Sequence, residues 1–78
     1  MPTIFEINGY RFYFFMNEHE PIHIHVAKAS GKAKIILVPD IKIIKASNFK
    51  PRELKQIVEI VILNYELLIN KWNETFNK

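Results

Sequence analysis

The sequence predicts an α+β domain: an antiparallel meander of about five strands with one long C-terminal helix packed on one face. Three observations carry this. Asn8-Gly9 sits between alternating segments in "EINGYRF", and a two-residue type I′ hairpin turn needs such a pair because both central residues take positive φ. Ile22, Ile24 and Val26 alternate with His23 and His25, the period of a half-buried strand. Leu54, Val58, Val61, Tyr65, Leu68 and Trp72 recur at spacings of four and three, which makes one apolar helical stripe.

The Asn8-Gly9 turn fixes a register in which Ile7 faces Tyr10, Glu6 faces Arg11, Phe5 faces Phe12 and Ile4 faces Tyr13. Glu6 opposite Arg11 is a favourable cross-strand pair. One face of the hairpin, from Thr3, Phe5 and Ile7 to Tyr10, Phe12, Phe14 and Met16, is predicted core. After the loop "NEHEP", the strand "IHIHVAK" returns antiparallel. Its isoleucines and Val26 then meet Met16, Phe14 and Phe12, and the histidines fall on the opposite face, His23 near Phe15 and His25 near Tyr13. "ASGK" turns the chain into "AKIILV", where Ile35 and Leu37 join the core and Ile36 and Val38 lie beside the histidines. After "PD", "IKIIK" makes a fifth strand at the sheet edge. Residues 1–46 form the meander and 51–76 the helix of a single domain spanning 1–78.

Pro51 suits the first position of a helix, and Glu53 favours its positive end. At 1.5 Å per residue such a helix is roughly 39 Å long, whereas strands of about seven residues span only around 23 Å. The overhang would carry Ile60, Ile62, Leu63, Leu67 and Ile69, which lie off the stripe. A homo-oligomer, most simply a dimer, buries them. A kinked or shorter helix is the alternative, disfavoured because no Gly or Pro interrupts 52–78.

Composition points the same way. The 78 residues contain no cysteine, and 49% are hydrophobic. Disulfides, thiolate metal sites and a cysteine nucleophile are thereby excluded, and small uncrosslinked domains often complete their burial in a partner. "MPTIFEINGY" lacks a basic region followed by an apolar core, and the run "IVIL" is too short to span a bilayer. A cytoplasmic protein without membrane contact is expected. The net charge of +3 concentrates in residues 28–55. Lys28, Lys32, Lys34, Lys42 and Lys45 could meet nucleic acid. They come singly, without the interleaved aromatics of a stacking platform, so protection of sheet edges is the preferred reading.

"MPTIFEINGYRFYFF", "NEHEPIHIHV" and "KWNETF" together resemble the prokaryotic family known as domain of unknown function 4160, over nearly the whole chain. Met16 stands where the pattern has a small polar residue, and Ile22 where it usually has a second proline; both changes affect the loop rather than the fold. The resemblance carries no established activity. It implies a small component of a toxin–antitoxin pair, often encoded beside another small protein of unknown function (family 2442), so a cognate antitoxin-type partner is expected.

All three histidines fall within residues 17–26. His-x-His on a strand sets two imidazoles on one face, a common way to hold a transition metal. His19 with His23 and His25 would complete a site for a divalent ion such as zinc; otherwise no cofactor is needed. The histidine-triad and cupin spacings both fail. Metal-free acid–base chemistry on RNA is the less strained variant, with His23, His25, Arg11 and Tyr13 as candidate catalytic groups. Against these stands a plain reading in which the histidines pack, partly wet, on Phe15 and Tyr13. Around them Ile4, Tyr13, Phe15, Ile36 and Val38 would form an exposed apolar patch that a partner should cover. The leading expectation is a toxin–antitoxin-type protein acting through protein–protein binding. A His-dependent ribonuclease or metal hydrolase and a basic nucleic-acid-binding module are the alternatives.

Overall fold

A computed structural model of the chain describes residues 3–14 and 21–76. It holds β1 (Thr3–Ile7), β2 (Tyr10–Tyr13), β3 (His23–Lys28), β4 (Gly31–Ile36) and β5 (Lys42–Ser47), followed by α1 (Pro51–Leu63) and α2 (Tyr65–Phe76). The strands form one antiparallel sheet in sequence order. The architecture is therefore α+β with a five-stranded meander.

The first turn is the expected one. Asn8 and Gly9 carry φ of 55° and 83°, and Ile7, Glu6 and Phe5 pair with Tyr10, Arg11 and Phe12. The register slips beyond Phe5: Tyr13 pairs with Thr3 rather than Ile4. Ile4 is the extra residue of a bulge and packs half-buried against the core. A second irregularity falls between Lys34 and Ile35. It leaves Ile44 without a cross-strand partner in the register and largely exposed.

One face of the sheet buries Tyr10, Phe12, Ile24, Val26, Ala33 and Ile35. Ile57, Ile60 and Val61 of α1 and Leu68 and Trp72 of α2 complete the core cluster. Two side-chain hydrogen bonds tie the layers: the Tyr10 hydroxyl donates to Gln56 Oε1 at 2.8 Å, and the Tyr65 hydroxyl donates to the Leu37 carbonyl at 2.6 Å. At the sheet's far corner Gly31 is required by a neighbour. A Cβ there would stand 2.5 Å from Phe49 Cε1, so the ring of Phe49 occupies the space that a side chain would need.

The C-terminal segment is two helices, not one. Asn64 interrupts it with φ −114° and ψ 22°, and its side-chain amide donates to the Ile60 carbonyl at 2.8 Å. Asparagine competes for its own helix's carbonyls in this way and has weak helix propensity, so it breaks the helix without Gly or Pro. Lys50 N–H donates to the Glu53 carboxylate at 2.8 Å, which together with Pro51 starts α1. Each helix is about 20 Å long or less, commensurate with the strands, so neither helix by its own length needs to overhang the sheet. Of the five residues expected to meet a second subunit, Ile60 is buried in the chain's own core and Ile69 packs half-buried on it. Ile62, Leu63 and Leu67 stay exposed.

Candidate functional site on the outer face of the sheet

The outer face is built by strand alternation from the core positions. Since Ala33 and Ile35 point inward, Lys32, Lys34 and Ile36 point outward. Pairing carries this across the sheet. One row runs Tyr13, His25, Lys34 and Lys45; the next runs Arg11, Ala27, Lys32 and Ser47. Ile36 sits between His23 and Lys42 in a third row. Arg11, Lys32, Lys34, Lys42 and Lys45 thus share one face. Among the described residues, Glu6 opposite Arg11 is the acidic side chain that strand register places there.

A hollow of about 530 Å³ opens on this face, lined by Tyr13, His25, Lys32, Lys34, Lys45 and Ser47, with Ala33 and Ala46. Its aromatic half is tightly organised. Tyr13 and His25 stack at 5.4 Å between centroids with planes 22° apart. The Arg11 guanidinium lies 5.1 Å above the Tyr13 ring, a cation–π contact. His25 meets His23 edge-to-face at 5.1 Å. Its cationic half sets Lys34 opposite Lys45, neighbours at about 5 Å between Cα atoms. Like charges directly opposite destabilise a sheet. Lysine, serine and tyrosine side chains line the hollow, and among the described residues no carboxylate does. Among the described residues the charge on this lining is positive.

The structure separates the expected site residues. Tyr13 and His25 line the hollow, and Arg11 covers Tyr13. His23 is only 3% exposed, its Nδ1 lies 2.7 Å from the Pro21 carbonyl oxygen, and its ring rests 5.2 Å from Trp72. It is a packed side chain behind the site, because α2 brings Trp72 to the place where β2 ends and β3 begins. There Trp72 also meets Phe14 edge-to-face at 5.2 Å. His25 is 9% exposed, so the histidines are not the wet residues expected. His19 lies outside the described residues, as does Phe15. Among the described residues no group of three His, Cys, Asp or Glu side chains is placed to hold a metal ion.

Four of the five residues expected in an exposed apolar patch around the histidines are described, and Phe15 is not. Tyr13 is buried, Ile4 and Ile36 are half-buried, and only Val38 is exposed. Of the lysines expected to meet nucleic acid, four share the face. Lys28 does not: it is paired with Gly31 and reaches back over the Tyr10 ring at 4.6 Å, on the core side. What the sequence reading missed is that the lysines and His25 form one site. "GKAKII" alternates Lys with small or apolar residues at period two, and that pattern was the available signal.

The model of one family, described as Domain of unknown function (DUF4160), matches residues 9–73. The chain belongs to this family. No curated protein and no solved structure matches it. The DUF4160 match begins at Gly9 of the hairpin turn and takes in all lining residues of the hollow and both helices as far as Asn73. Among the described residues, no helix of this DUF4160 chain is long and apolar enough to cross a membrane.

Proposed function

We propose that this DUF4160 chain binds nucleic acid along the outer face of its sheet, as a small component of a toxin–antitoxin-type pair. The observation that carries the reading is the set of five cations on one face, three of which, Lys32, Lys34 and Lys45, line a hollow with Tyr13, His25 and Ser47. Phosphodiesters are the polyanion that such a surface fits: each neutralised phosphate releases counterions, and the binding energy comes mainly from that release. Tyr13 and His25 supply the aromatic component that the lysines lacked when read along the chain. Binding of protein through a histidine-centred apolar patch, the leading expectation from sequence, is the less favoured reading because Tyr13, His23 and His25 are buried. A protein partner has a different surface available, at the helix break. There Leu63 is 84% exposed, beside Ile62 and a hollow lined by Leu37, Pro39, Ile41, Ile62 and Tyr65.

The test is affinity for a short single-stranded RNA measured by fluorescence anisotropy across a salt series. The expected result is a negative linear dependence of log K on log salt, reduced in slope by about one for each of Lys32→Gln and Lys45→Gln. Leu63→Ser, at the end of α1 and outside the lining of the hollow, should leave that affinity alone and lower only the sedimentation coefficient of any assembly. Salt-independent binding, or equal loss in Leu63→Ser and Lys45→Gln, would sink the reading.

A further inference from the structure

Resting on that nucleic-acid reading, we infer that the hollow cleaves single-stranded RNA, with His25 as general base and Lys34 as general acid. The assignment comes from one row of the sheet. His25 and Lys34 are direct cross-strand partners, and Lys34 is in turn the partner of Lys45. All three line the same hollow. Residues so paired have Cα atoms about 5 Å apart, so the two side chains rise from neighbouring points of one face and can flank one phosphodiester.

The imidazole is held for this role. Tyr13 stacks against one side of it and His23 abuts it edge-on. His23 is fixed in turn by the close approach of its Nδ1 to the Pro21 carbonyl and by Trp72. A catalytic group locked by its neighbours loses little order when it reacts. The lysines give the charge that a phosphorane-like transition state develops somewhere to go, in a hollow that, among the described residues, no carboxylate lines.

In the step itself, a ring nitrogen of His25 takes the proton of a ribose 2′-hydroxyl. The 2′-oxygen attacks the adjacent phosphorus, forming the P–O2′ bond as the P–O5′ bond breaks. The Lys34 ammonium gives its proton to the departing 5′-oxygen. The products are a 2′,3′-cyclic phosphate and a 5′-hydroxyl, with imidazolium and neutral amine re-equilibrating through solvent. No metal, oxidant or added nucleophile enters the balance. The 2′-hydroxyl is the nucleophile, so RNA is cleaved and its 2′-deoxy counterpart is not. A strand free of pairing is preferred, since it can lie across the strands with one ribose over the hollow.

The experiment uses the full chain with an end-labelled single-stranded RNA and the same sequence in all-2′-deoxy form, following binding by anisotropy and cleavage by mass spectrometry. The expected result is fragments ending in 2′,3′-cyclic phosphate from RNA alone. His25→Gln and Lys34→Gln should each lower kcat by about 100-fold or more, the usual size of a general acid or base contribution, with KM changed by under about tenfold. Near-UV circular dichroism reports whether each variant keeps the wild-type packing, and the half-exposed Lys34 keeps the test alive if His25→Gln does not fold. RNA bound but left intact, or cleaved at the wild-type rate by both variants, overturns catalysis and leaves the binding reading standing. RNA not bound at all overturns both.

Discussion

The two faces of this sheet are made by the same strands and obey opposite energetics. On the inner face Phe12, Val26, Ala33 and their neighbours are buried and satisfied by α1 and α2. On the outer face, one residue further along each strand, His25, Lys34 and Lys45 stand in line. The inner face holds the fold together, whereas the outer face spends some of that stability by setting ammonium groups opposite one another. A face that costs stability is retained when something else uses it. Under the proposal above, the working surface is the side that packing alone would not have chosen.

The sharpest way to break the comparison is to weaken the inner face at the register position where both faces are best defined. Phe12 pairs with Phe5 and Val26, is fully buried, and its ring lies 4.9 Å from that of Phe5. Phe12→Ala should lower the unfolding free energy by about 3–5 kcal/mol, from lost transfer energy and the cavity left behind. Urea unfolding followed by Trp72 fluorescence measures it. A loss below about 1 kcal/mol would mean that the inner face does not hold this fold together.

An intermediate effect comes from the hydroxyl that the inner face does bury. Burial raises the Tyr10 pKa above 10.0, Glu53 adds to the rise, and Arg52 opposes it. The neutral phenol is the form the fold holds, and it donates to Gln56. In the unfolded chain the phenol ionises near pH 10. Stability should therefore be level below that pH and fall as pH rises from there toward the higher folded value. Tyr10→Phe should cost about 1 kcal/mol at neutral pH, for the lost hydrogen bond, and flatten the alkaline decline. Urea midpoints taken between neutral pH and about pH 11 separate the two forms, and an identical alkaline slope in both would refute the assignment.

Most of the inner face was legible in the residues. Asn8-Gly9 dictated the first turn, and period two carried the core positions from Phe12 to Val26 and on to Ile35. The pairing of Tyr13 with His25 followed from those two facts. Three things were not legible. The bulge at Ile4 is a local choice that leaves no mark in an alternating segment. The helix break is made by Asn64 through a side-chain bond to Ile60, and a search for Gly or Pro passes over it. The burial of His23 rests on its contact with Trp72, a tertiary contact from α2 that no local pattern around the histidines shows. The outer site was half legible: both the lysine alternation and the His-x-His alternation are plain in the chain. Their union needed the β3–β4 register, which sets Lys34 against His25.

The smallest effect is also the one that tests the outer face most directly. Lys45 lies opposite Lys34 and is exposed. Replacing it with glutamine removes one like-charge neighbour while keeping a side chain of similar length. If the outer face is held against its own repulsion, Lys45→Gln should stabilise the protein. The gain should be about 0.2–1 kcal/mol, the range of cross-strand pairs, and largest at low ionic strength. Salt should erase it, since exposed charges are screened over roughly 10 Å at 0.1 M. Urea midpoints of both proteins at two salt concentrations give the difference. The same substitution weakens RNA binding under the proposal above, so stability and affinity should move in opposite directions. That opposition distinguishes a working surface from a merely soluble one. A solubilising lysine can be removed with no gain in stability and no loss of affinity, whereas a phosphate-binding lysine opposite another cation cannot.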